Sequence, residues 1–218
     1  NSKIMKAIKS YLYPLALFLT FNLIVLLIRD LVIETNLYNF LSFNLFLGFL
    51  PILVAFILTL SYKKLSRFWI IVFVLVWLIF YPNAPYMITD LIHVNAESSY
   101  VIYDALIIFS FAMLSLFFGF YSIKMVQNVI QEIWNKKVAR IAVAASIVLS
   151  SFGIYLGRIL RLNSWDIFTE PIKTFLNILH HLSPNEGNIQ TYIIIVLFSC
   201  IQYILLLTIK DNNEIVKS

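Results

Sequence analysis

Long apolar stretches separated by short polar loops run through most of the chain. Six of them approach or exceed the roughly 20 residues a helix needs to cross about 30 Å of hydrocarbon: Tyr11–Val32, Phe40–Leu60, Phe68–Ile92, Tyr100–Ile123, Val138–Leu160 and Thr191–Ile209. Residues 70–76 are apolar at every position, which opposes the period-two alternation of a barrel strand. The pattern predicts an all-α polytopic membrane helix bundle with six transmembrane helices, forming a single domain over residues 1–218. The first stretch is long and lacks a small-residue cleavage site, so it reads as a span and not as a cleavable signal. Two shorter segments are amphipathic. Met125–Trp134 is expected to lie in the membrane interface. Pro171–Leu182 sets Ile172, Phe175, Leu176, Leu179 and Leu182 at helical spacing, with Lys173, Asn177 and His180 or His181 opposite. That is the pattern of an interfacial helix before the last span. No repeat of fixed period and no inverted repeat is visible.

Composition sharpens the class. Hydrophobic residues make up 61% of the chain and charged ones 12%, with a mean hydropathy of +0.89. Soluble domains are about half apolar and about a quarter charged, so a water-soluble globular protein is excluded. The single cysteine, Cys200, excludes an intramolecular disulfide and a cysteine-based zinc site. It reads as an inert packing residue in the sixth span.

Charge then orients the bundle. Twelve of the 16 basic residues fall on one side, among them Lys63, Lys64, Arg67, Lys136, Lys137 and Arg140. Arg29, Arg158, Arg161 and Lys173 fall on the other, with 8 of the 11 acids. The positive-inside rule places both termini in the cytoplasm and the protein in the cytoplasmic (plasma) membrane. The net charge of +5 reflects that bias and does not imply nucleic acid. The expected partners are membrane lipids, with a homo-oligomer or a membrane-protein partner also open.

The third span carries the densest chemistry. Phe68 to Tyr81 supplies 14 residues, about 21 Å of helix, before Pro82, Asn83, Ala84 and Pro85. The two prolines remove backbone donors and disfavour helix at the residues before them. A break at Pro82–Pro85 in the outer leaflet is expected, with Asn83 capping a half-helix that starts near Ala84. Tyr86, Thr89, Asp90 and His93 would then share one face. The alternative is a proline kink whose polar face meets outside water.

The fifth span brings Ser150, Ser151, Tyr155, Arg158 and Arg161, followed by Asn163, Trp165 and Asp166. An arginine at this depth is costly unless paired or snorkelling. Asp90, Asp104 and Asp166 are its candidate partners, and structural pairing and anion binding both remain open. Gly153 and Gly157 form a small-xxx-small pair for close helix packing. Asp104 serves either as an interfacial cap or as a functional carboxylate. Asn22, Asn44 and Gln202 are expected to hydrogen-bond between helices. Asp90 and His93, one turn apart, could form an N/O metal site with His180, His181 or Asp166, although no metal-binding motif supports it. Exposed interfacial histidines are the simpler reading. No P-loop, dinucleotide-binding glycine pattern or nucleophile elbow is present, and the sequence leaves any cofactor unknown.

Residues 77–93, from Trp77 through Pro82, Asn83, Ala84 and Pro85 to Asp90 and His93, carry one signature that resembles a known family. Residues 151–166, with Gly153, Tyr155, Gly157, Arg158, Arg161, Trp165 and Asp166, carry another, and the pair Tyr103 and Asp104 resembles a third, shorter element. The chain is similar to the bacterial and archaeal membrane family called domain of unknown function 1361. That resemblance implies a multispanning fold and brings no settled activity.

Three functions compete. The first is an enzyme at the outer face acting on a lipid-linked or envelope substrate. Asp90 and His93 are its catalytic candidates. Asn83, Tyr86, Thr89, Asp104, Tyr155, Arg158, Arg161, Asn163, Trp165 and Asp166 would line an anion-binding site. The second is a small transporter or carrier built around the broken helix. The third is a non-catalytic membrane assembly partner. A closed pocket with converging Asp, His and Arg favours the first, a path to the basic side favours the second, and the lack of a pocket favours the third.

Overall fold

A computed structural model describes residues 2–33, 37–95, 97–161, 169–182 and 189–208. Among these residues the chain contains helices and connecting turns only: α1 (Ser2–Ile33), α2 (Phe40–Ser61), α3 (Arg67–Phe80), α4 (Asn83–Tyr86), α5 (Val101–Ile133), α6 (Lys136–Arg158), α7 (Pro171–Leu182) and α8 (Ile189–Thr208). Short 3-10 helices cover Tyr62–Lys64 and Met87–His93. Among the described residues six segments are long and apolar enough to cross a membrane: Tyr13–Ile33, Phe40–Lys64, Arg67–His93, Val101–Ile133, Lys136–Arg158 and Thr191–Thr208. The chain is therefore a multi-pass membrane protein with an all-helical fold. Its outward apolar side chains, such as Leu31, Leu75, Ile102 and Leu207, face hydrocarbon at no cost.

Helix α5 is the central post. Ile107, Ile108, Phe111, Leu114 and Ile123 are fully buried along it, and α1, α2, the third span and α6 pack around it, while α8 lies against α6. Its 33 residues reach about 50 Å, well beyond the hydrocarbon thickness. This corrects the expectation of a separate interfacial segment at Met125–Trp134. Nothing between Ile123 and Ile133 breaks a helix, and Val126, Val129 and Ile130 are buried at helical spacing in the same core as Ile123. The segment is the last turns of α5. The chain then reverses at Trp134 and Asn135, where the Asn135 side chain accepts from the Val138 N–H at 2.9 Å and starts α6.

The joint in the third span follows from its prolines. Pro82 cannot donate to the Leu78 carbonyl, nor Pro85 to that of Tyr81. The Ala84 N–H turns to the Tyr81 carbonyl at 3.2 Å, and the Asn83 amide donates to the Phe80 carbonyl at 3.0 Å. The ladder is interrupted, yet Tyr81, Pro82 and Met87 keep right-handed helical dihedrals. The expected second half-helix is only the four residues of α4, running into 3-10 turns. Asn83 closes the end of α3 and does not cap a new helix, so no free helix N-terminus is created there. What seats the joint is small residues on three neighbours. A Cβ on Gly119 would sit 2.9 Å from the Ala84 Cβ, one on Gly48 2.1 Å from the Ser115 Oγ, and one on Gly153 3.2 Å from Pro82. The packing role expected of Gly153 is thus directed at the proline joint.

Polar side chains tie the spans at depth. Trp77 donates its indole N–H to the Ser122 Oγ at 3.0 Å. Gln202 donates to the Ser151 Oγ at 2.9 Å and accepts from the hydroxyls of Ser150 and Tyr81, both at 3.3 Å. Gln202 thus bonds between helices as expected. Asn22 does not: its amide returns to the Phe18 carbonyl in its own helix at 2.8 Å.

Candidate functional site

The basic loops around Lys63–Arg67 and Asn135–Lys137 lie at one end of the bundle. At the other end, the last turn of α6 delivers Arg158 to the 3-10 helix Met87–His93. A 3-10 turn eclipses residues three apart, which helps bring Tyr86, Thr89, Asp90 and His93 to one side. Arg158 Nη2 donates to Asp90 Oδ1, Nε donates to the Thr89 hydroxyl at 2.7 Å, and Nη1 lies 3.1 Å from His93 Nε2. The guanidinium carbon stands 4.4 Å above the Tyr86 ring centroid. Thr89 passes its own proton to the Tyr86 carbonyl at 2.6 Å. Since Arg has only donors, His93 Nε2 accepts and its ring proton sits on Nδ1. The two long signature segments therefore meet, through the pairing expected of Arg158 and Asp90.

Asp90 is 1% exposed, and its second oxygen accepts from Asn44 of α2 at 2.9 Å. Its carboxylate is enclosed and fully engaged. Arg158 keeps 14% of its side-chain surface, and His93, whose ring stands edge-on to Phe40 with centroids 5.2 Å apart, is exposed. Among the described residues, three of the five guanidinium N–H groups have partners.

A second pair stands beside the first. Arg29, near the end of α1, donates from Nε to Asp104 Oδ1 at 3.1 Å, with side chains 3% and 1% exposed. The Tyr38 hydroxyl lies 3.2 Å from Asp104 Oδ2 and 3.5 Å from the His93 carbonyl, so it links the two clusters. The Arg29 guanidinium stacks on the Tyr38 ring at 4.5 Å. Burial, and then the Asp104 carboxylate, hold the Tyr38 phenol above its ordinary value of 10.0. Asp104 is thus half of a buried ion pair and not a helix cap. Its neighbour Tyr103 donates to the Val25 carbonyl of α1 at 3.2 Å.

The remaining expected site residues lie apart. Asn83 serves the backbone of α3, as described. Tyr155 is buried and accepts from the Thr191 hydroxyl of α8 at 2.9 Å. Arg161 is exposed just past α6, in the left-handed region at φ 53°, a conformation costing about 1–3 kcal/mol for a non-glycine residue. Asn163, Trp165 and Asp166 lie outside the described residues. His180 is exposed on α7, and the side chain of His181 lies outside those described. Among the described residues no group of three or more His, Cys, Asp or Glu could hold a metal. Sequence reasoning placed Arg29 on this side without giving it a role, and it missed Tyr38. Arg29 carried a signal, a cation in the last turns of a span on the acid-rich side.

Comparison with known proteins adds kinship. The chain belongs to the family described as "Protein of unknown function (DUF1361)", whose model matches residues 43–205. No curated protein and no solved structure matches it. The matched region holds Asn44, Asp90, His93, Asp104 and Arg158, whereas Arg29 and Tyr38 precede it.

Proposed function

We propose that this DUF1361 protein binds an anionic group, a phosphate or carboxylate of a lipid-linked or envelope substrate, at the outer face of the cytoplasmic membrane, and acts there as an enzyme. The orientation rests on the basic loops at the opposite end. The observation that carries the reading is the state of Arg158. Thr89, Asp90, His93 and Tyr86 fix its plane, while among the described residues two of its five N–H groups keep no partner, and its side chain retains 14% of its surface. A guanidinium with two such N–H groups suits fork-like recognition of an oxyanion. Asp90 orients Arg158 and is too enclosed to meet substrate. His93 is exposed and is the group available for proton transfer. A carrier is less well supported, because buried Trp77, Ala84, Met87, Phe111 and Leu114 fill the bundle between the cluster and the basic end.

One observation favours a second reading, a non-catalytic assembly partner. The pairs Arg158–Asp90 and Arg29–Asp104 are each neutral, and with no free helix N-terminus at the joint, little surplus positive potential remains in the cluster.

Arg158→Lys separates the two, since it keeps the charge and removes the fork. Purified protein should bind a short-chain phosphatidic acid in titration calorimetry. Arg158→Lys should lose that binding at least tenfold (about 1.4 kcal/mol) while staying folded and monodisperse. Equal binding by the variant would defeat the anion-site reading. Incubation with an envelope lipid extract, followed by mass spectrometry, should reveal a product absent with His93→Ala. Binding without any such product leaves the binding reading and removes the enzyme.

A further inference from the structure

A cavity of about 280 Å³ lies between α1, α2 and α5, in the half of the bundle nearer the basic end. Ala16 and Leu19 of α1, Phe49 and Leu53 of α2, and Phe118 and Met125 of α5 are among its walls. It arises because α1 packs chiefly on α5 and does not close against α2. Phe49 and Leu53 are 38% and 39% exposed, so the gap opens sideways between α1 and α2, toward the bilayer. The walls are almost wholly apolar. An empty apolar void is destabilising, and at this depth the surrounding solvent is hydrocarbon.

We infer that this gap is a built site for one acyl chain of an anionic phospholipid whose headgroup lies at the basic end. The register supports the headgroup assignment. Tyr13 and Trp69 are exposed at that end, the placement of an interfacial aromatic belt. Lys63 and Lys64 are exposed at the end of α2, seven and eight residues beyond Phe56, another wall residue. That is about 10 Å along the chain axis, so an acyl chain in the gap sets its phosphate at the level of those lysines. Exposed Arg67, Lys136, Lys137 and Arg140 add positive charge at the same end. Juxtamembrane clusters of this kind attract anionic headgroups. The site is independent of the Arg158 cluster, which lies at the far end of the bundle.

The test uses the full chain reconstituted in phosphatidylcholine vesicles containing a phosphatidylglycerol with a diazirine near the middle of one acyl chain. After illumination, cross-linked peptides should concentrate several-fold on residues 15–19, 49–56 and 118–125 over equally exposed lipid-facing positions such as Leu75 and Ile102. The same diazirine on phosphatidylcholine should label the gap less, and Lys63→Gln with Lys64→Gln should abolish the difference. Ala16→Phe, which narrows the mouth, should remove the enrichment. Labels spread evenly over the lipid-facing surface of the wild type would overturn the inference, whatever the variants do. Enrichment equal for both headgroups would overturn the anionic part.

Discussion

Arg29 and Asp104 form a buried ion pair, 3.1 Å apart, that joins α1, ahead of the family-matched region, to α5 within it. Removing one member of a buried pair strands the other charge and costs about 3–5 kcal/mol. Arg29→Met and Asp104→Asn should each destabilise the protein by that order, measured by thermal unfolding in detergent. Asp104→Leu should cost a similar amount, and joined to Arg29→Met it should bring a loss smaller than the sum of the two, with recovery kept partial by Asp30, 3.8 Å from Arg29. Additive losses in the double variant would show that the two residues do not act as a pair.

The same cluster gives a pH dependence. Tyr38 has a folded value raised above 10.0 by burial and by Asp104, so the folded state holds its proton more tightly than the unfolded state. Its contribution to stability is complete below 10.0 and is lost as pH climbs through the raised folded value. The wild-type melting temperature should therefore fall on the alkaline side of 10.0, and Tyr38→Phe should flatten that limb. An unchanged alkaline slope in the variant would assign the effect to other groups.

The proline joint predicts an inequality between two glycines. At Gly119 a new methyl meets the Ala84 Cβ at 2.9 Å, and neither side can rotate away. Gly119→Ala should cost about 1–3 kcal/mol, the usual range for overpacking. At Gly48 the obstacle is the Ser115 hydroxyl, with the Ser115 Cβ itself at an ordinary 3.4 Å. Gly48→Ala should be the milder change, and Ser115→Ala should relieve it. The reverse order of melting temperatures would contradict the packing of the joint.

Orientation is tested by cysteine labelling in a Cys200→Ser background. In intact cells an impermeant maleimide should modify Ser98→Cys and spare Ser66→Cys. The opposite pattern would place the Arg158 cluster in the cytoplasm and end the outer-face proposal.

The spans could be read from the sequence because hydrocarbon imposes one rule on every stretch, continuous apolarity for about 20 residues. The pairing of Arg158 with Asp90 was legible for a related reason: few partners exist for a charge at that depth. Asp104 was harder, since Asp90, Asp104 and Asp166 all lay within plausible reach of one arginine, and only the placement of α1 assigns Asp104 to Arg29. The end of the fourth span was misjudged because Gln127, Asn128, Gln131 and Glu132 look interfacial in a linear reading. The core contacts of Val126, Val129 and Ile130 keep them on one continuous helix. The form of the proline joint was equally hidden. Two prolines forecast lost donors, but Gly119 and Gly153 on other helices, which leave room for Ala84 and Pro82, could not be placed there from the sequence.

The clasp around Gln202 bears on how the chain is made. Helix α8 follows the other five described spans along the chain, and the buried hydroxyl of Tyr81 pairs with its Gln202. Interhelical hydrogen bonds in lipid contribute only about 0.6 kcal/mol each, so this contact is weak as glue. Its consequence lies in the order in which polar groups find partners. Until α8 docks, neither the Tyr81 hydroxyl nor the Gln202 amide has the other as its partner. A chain cut before α8 should lack this contact, so the docking of α8 is what satisfies the Tyr81 hydroxyl.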